Sequence, residues 1–80
     1  SFPVEVEVKA LDRTKLLRDI TNVLAEYDIN IMNASVVIDK ENITTIKLIF
    51  EIGNLGLLND VLVNVRNING VFDAYRVLPQ

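Results

Sequence analysis

The sequence contains no cysteine and no histidine. Without cysteine there is no disulfide framework, no thiolate metal site and no thiol nucleophile. Without histidine the chain lacks the commonest general base and the commonest metal ligand. Carboxylates could still serve an enzyme, but Glu5, Glu7, Asp12 and Asp19 are scattered, and no spacing pairs them as acid and base. Three glycines are too dispersed to form a phosphate-cradling loop. Positive charge is also short, with 8 Lys and Arg against 11 Asp and Glu, a net charge of −3. A protein held to DNA or to an anionic membrane by bulk charge is not expected. No apolar run approaches the about 20 residues that span a bilayer, and the N-terminus has no signal-peptide pattern. No catalytic site, cofactor or metal is expected, and the expected location is the cytoplasm.

Aromatic residues make up 6% of the chain, yet half of it is hydrophobic, so a core is available. A chain of 80 residues makes one domain that buries roughly 60–65% of its unfolded surface. Support from a partner or from more chain is therefore expected. The chain opens on Ser1 rather than methionine, and residues 1–80 are read as a single small domain of a longer protein.

Val4 to Ala10 alternates apolar and charged residues, the period of a strand with one buried face. Glu5 and Glu7 then make a solvated face, or flank an edge contact with a second copy. From Leu16 the period changes, and Leu16, Leu17, Ile20, Val23, Leu24 and Tyr27 share one helical face. Asp12 or Thr14 is the expected cap of that helix. Ile31 to Ile38 reads as a strand whose run Val36-Val37-Ile38 implies a bulge or burial on both faces. Asp39 to Asn42 is a hairpin connection, and Thr44 to Ile52 a clear strand with Ile46, Leu48, Phe50 and Ile52 on one face.

Asn54 is the expected cap of a second helix, with Leu58, Val61, Leu62, Val65 and Ile68 inward. Asn69-Gly70 stops it, and Val71 to Leu78 is the last strand. The order β-α-β-β-α-β predicts an α+β ferredoxin-like sandwich. Its antiparallel sheet has the order 4-1-3-2, with both helices on one face.

That fold hosts many functions, so the site has to decide. A copper-carrying version needs paired cysteines. An acylphosphatase version uses arginine with glycine in the first loop, and Asp12–Lys15 has no glycine. RNA-stacking versions place aromatics on the open sheet face. Here Phe50 belongs to the core set, and no basic aromatic motif surrounds Phe72 or Tyr75. Two polar stretches remain. Asp12 to Leu17 enters a helix N-terminus, which can hold a carboxylate such as that of a free amino acid, or can be capped by Asp12 with Arg13 and Lys15 in solvent. Asn30 and Asn33 open an apolar strand, either as turn and edge residues or as ligand contacts.

Two stretches, "VEVEVKALDRTKLLRDITNVLAEYDINI" and "VRNINGVFDAYRV", resemble the ACT domains, ligand-binding modules of amino-acid-responsive enzymes. The carrying pattern is Asp12-Arg13, Leu16-Leu17, Asp19-Ile20 and Asn30-Ile31, then Ile68-x-Gly70-Val71 and Arg76. The chain is most similar to the C-terminal ACT domains of the RelA/SpoT-homologue (Rel) enzymes, of an actinobacterial kind. Those enzymes make and hydrolyse (p)ppGpp in the bacterial stringent response.

The resemblance implies a non-catalytic fragment that relays amino-acid state, or contact with ribosome or tRNA, to the catalytic domains. The alternative is an amino-acid-binding ACT domain of another metabolic enzyme or regulator. It further implies a homodimer joined through sheet edges, with a branched-chain amino acid at the interface. That ligand would lie between Leu11, Asp12, Arg13, Lys15 and Leu16 of one copy and Asn30, Ile31 and Met32 of the other. One departure stands out: ligand-binding ACT domains usually have glycine where this chain has Lys15. The lysine either blocks an amino acid or pairs with its carboxylate.

Overall fold

The computed structural model describes all residues, Ser1–Gln80. The elements are β1 (Phe2–Leu11), α1 (Leu16–Glu26), β2 (Ile31–Ile38), β3 (Ile43–Ile52), α2 (Leu55–Arg66) and β4 (Val71–Val77). All strand pairs are antiparallel, and the order β2-β3-β1-β4 is the one the sequence predicts, counted from the other edge. No helix is long and apolar enough to cross a membrane.

β1 and β3 form the spine. They pair without a break from Phe2 opposite Ile52 to Leu11 opposite Ile43. Residues directly opposite each other share a face. Val4, Val6, Val8 and Ala10 therefore join Thr44, Ile46, Leu48, Phe50 and Ile52 under the helices, and all are buried. Leu16, Ile20 and Leu24 of α1, with Leu58, Val61, Leu62 and Val65 of α2, close the core from above. The one buried polar side chain, Thr44, is satisfied by donating to the Val37 carbonyl at 3.3 Å. The capping expected for α2 is present, since the Asn54 side chain accepts from the Leu57 N–H at 2.8 Å.

Two expectations change, and one pair of alternatives is decided. β1 pairs on both sides, so Glu5 and Glu7 flank no free edge and take the other reading, an open strand face. They lie on the open sheet face, where Glu7 accepts the hydroxyl proton of Tyr75. That bond to a carboxylate raises the Tyr75 pKa above its ordinary 10.0, with burial adding to the shift. β2 is not buried on both faces; it is an edge strand, exposed from Met32 to Ile38. Its bulge falls between Ile31 and Asn33 rather than in the valine run. Leu17, predicted inward, is 45% exposed.

A single residue in the spine should carry far more stability than one on the open edge. Phe50→Ala removes a fully buried ring and is expected to cost about 3–5 kcal/mol. Val37→Thr, on an exposed strand side chain, is expected to change stability by about 0.5 kcal/mol or less. Urea unfolding of the two variants checks the contrast.

Candidate functional site

The loop after β1 is wedged between two other turns. The Leu11 N–H donates to the Gly70 carbonyl, and the Asp12 N–H donates to the Asn42 carbonyl, each at 2.8 Å. The first bond ties the loop to the α2–β4 turn, the second to the tip of the β2–β3 hairpin. That tip is itself braced by Asp39, whose Oδ1 accepts from the backbone of Glu41 at 2.8 Å and of Ile43 at 3.1 Å. Asn42 has φ 62, a left-handed conformation that asparagine tolerates.

Arg13 fastens the side of the loop. Its Nε donates to the Asn69 carbonyl at 2.8 Å, one Nη to the Thr14 carbonyl at 3.0 Å and the other to Asp19 Oδ2 at 2.8 Å. Asp19 Oδ1 accepts from Arg18 Nε at 3.1 Å and Nη2 at 2.8 Å. The hydrogen bonds from Arg18 and then Arg13 hold the Asp19 carboxyl below the usual aspartate range, against a smaller opposing effect of burial. The Arg13 guanidinium joins the loop to α1 and to the α2–β4 turn.

The expected cap is absent. Neither Asp12 nor Thr14 caps α1: Lys15 occupies that position, and no side chain bonds to the helix start. The Asp12 backbone is held at the hairpin tip, and Lys15, with φ 69 and ψ 9, turns the chain directly into the helix. This is the left-handed region that glycine enters freely and other L-residues enter at a cost of roughly 1–2 kcal/mol. Lysine here takes a backbone shape that glycine enters freely. The Lys15 side chain is exposed and makes no ion pair.

Beside this turn lies an open cavity of about 190 Å³. Asp12, Arg13, Lys15 and Leu16, four of the candidate residues, line it. So does Leu17, the last residue of the candidate stretch, and so do Arg18, Val36, Thr44 and Ile46, which the sequence does not place there. Val36 could have been found by counting back from the hairpin, because that register sets it opposite Ile46. Leu17 faces this cavity rather than the core, which accounts for its exposure. The arrangement offers apolar walls, one carboxylate and cations at a helix start without a side-chain cap. It can hold a small molecule bearing both an anionic group and an aliphatic one.

Asn30, Ile31 and Met32 do not join this cavity within one chain. Ile31 stands opposite Phe50, whereas Leu11 stands opposite Ile43. From Ile43 to Phe50 the strand rises about 24 Å. Leu11 itself is 47% exposed and sits at the sheet end rather than in the cavity wall.

Two measurements check this site. Lys15→Gly relieves the left-handed strain and returns part of that gain as unfolded-chain entropy, so a net stabilisation of about 0.5–1 kcal/mol is expected in urea unfolding. For Asp19, the folded pKa is depressed, so its contribution is present above the ordinary 3.8 and is lost as pH falls from there through the lower folded value. Asp19→Asn removes that contribution. Acid titration of thermal stability should therefore show the variant and the unaltered chain differing above that window and converging below it.

The ACT domain family pattern matches residues 1–76. The chain is 42% identical over 78 residues to a GTP pyrophosphokinase of Streptomyces antibioticus, covering 98% of this chain and 9% of that protein. It is 42% identical over 76 residues to the bifunctional (p)ppGpp synthase/hydrolase RelA of Mycobacterium tuberculosis, covering 95% of this chain and 10% of that one. The chain thus spans about a tenth of the length of these relatives. The crystal structure of the ACT domain from the GTP pyrophosphokinase of Chlorobium tepidum superimposes with a TM-score of 0.82 at 25% identity, covering 95% of this chain and 97% of that one. The family pattern covers nearly the whole chain, and the fold agrees with it: the chain belongs to the ACT domain family.

Proposed function

We propose that the chain is the regulatory ACT domain of a bifunctional (p)ppGpp synthetase/hydrolase of the stringent response, working in the cytoplasm and catalysing nothing itself. The observation that carries this reading is the 42% identity to GTP pyrophosphokinases along nearly the whole chain. The composition is in keeping with it, because a chain without histidine or cysteine has little to catalyse with.

The regulatory signal enters at the loop from Leu11 to Leu17. Two copies join through sheet edges, and β2 is suited to this by its exposed Met32, Val36, Val37 and Ile38. Pairing between copies sets the loop of one against Asn30, Ile31 and Met32 of the other, which the about 24 Å of strand between these segments prevents within one chain. A branched-chain amino acid then places its carboxylate at Lys15 and the helix start, and its aliphatic group against Leu16, Leu17 and Val36. The lysine supplies by charge what glycine supplies elsewhere by close approach. Ribosome or tRNA contact of the parent enzyme acts through the same domain.

The test uses the full-length enzyme. Lys15→Glu reverses the charge at the anion position without breaking an ion pair. The response of (p)ppGpp synthesis to valine and to ribosomes with uncharged tRNA is expected to fall about fivefold or more. A response identical to that of the unaltered enzyme would contradict the proposal.

A further inference from the structure

The turn that receives Leu11 and Arg13 contains the only Asn-Gly step in the sequence, Asn69-Gly70. Asn69 is exposed, and Gly70 has φ 92, the left-handed conformation required at the third position of a type II turn. The turn closes through the Val71 N–H, which donates to the Ile68 carbonyl at 3.1 Å. The Gly70 N–H donates to no backbone carbonyl. Gly70 has no Cβ, and Arg13 Nε lies 3.4 Å from the position one would take. The Asn69 carbonyl, part of the same peptide unit as that nitrogen, accepts from Arg13 Nε at 2.8 Å.

We propose that Asn69 is a site of spontaneous deamidation that Arg13 promotes, and that the product alters the β1–α1 loop. Hydroxide removes the Gly70 amide proton. The resulting charge is shared between the nitrogen and the Asn69 carbonyl oxygen, the atom that the guanidinium already holds. A charge-assisted bond of this kind is stronger than a neutral one, so it favours the ionised peptide. The Gly70 nitrogen then attacks Asn69 Cγ, a C–N bond forms, and the side-chain nitrogen leaves as ammonia after taking a proton from water. Water opens the cyclic imide at either carbonyl, giving aspartate or isoaspartate at this position. The reaction consumes water and needs no oxidant, reductant or cofactor.

Either product changes the clamp. Aspartate puts a new carboxylate beside Arg13, in competition with Asp19, which now holds it at 2.8 Å. Isoaspartate lengthens the main chain within the turn whose carbonyls hold Leu11 and Arg13. Chemical ageing of this turn is thereby felt at the loop that lines the cavity. The inference rests on the turn geometry and is independent of the proposed function.

Peptide mapping by mass spectrometry, with enzymatic methylation of isoaspartate, follows the reaction in the 80-residue chain at mildly alkaline pH. Conversion is expected at Asn69, and Asn69→Ser should abolish it. Arg13→Gln keeps a donor and removes the charge, and is expected to slow conversion about tenfold. Added salt should slow it in the folded chain and leave it unchanged in urea, a comparison that needs no variant. Absence of isoaspartate at Asn69 would overturn the proposal. So would unchanged or faster conversion in Arg13→Gln or at high salt, because the clamp would then protect the turn rather than activate it.

Discussion

The β1–α1 loop has its shape because three segments far apart in sequence converge on it. β1 delivers Leu11 and Asp12 between the hairpin tip at Asn42 and the turn at Gly70, and both backbone N–H groups are taken up there. Arg13 then adds side-chain bonds to Asn69, Thr14 and Asp19. With the chain pinned on both sides, only a tight turn can reach the start of α1. Lys15 makes that turn in a left-handed conformation, without a side-chain cap. The cavity, its cations and the uncapped helix start all follow from that constraint.

The spine beneath the loop makes the constraint rigid. β1 and β3 pair over their full length, and their shared face is sealed by both helices. The edge strand β2 is different, since one face of its pairing is satisfied by β3 and the other side is open. Stability and function are thus divided between elements. The central strands bear the packing, while the loop and the exposed edge carry the surfaces available to a ligand or a second copy.

What was legible in the sequence tracks how local the controlling physics is. The alternation from Val4 to Ala10 shows a half-buried strand because each residue's face depends only on its parity. The Asn54 cap reads from sequence because its bond reaches only to Leu57. The α1 start does not, because Asp12 is held by Asn42 and the capping site falls to Lys15. β2 misled in the same way: three successive apolar residues imply burial, but the strand lies at an edge that no layer covers. The candidate loop was legible through resemblance to a family, whereas the work its arginine does was not. Arg13 bonds to a residue 56 positions away, a pairing that neither spacing nor composition records.

The most direct test of a ligand site at this loop is a titration of the isotope-labelled chain with valine, followed by backbone amide shifts. The account predicts saturable shifts at Lys15 and Leu16 together with Asn30 and Ile31, two segments that valine can touch at once only between paired copies. No shift in either segment at millimolar valine would contradict it.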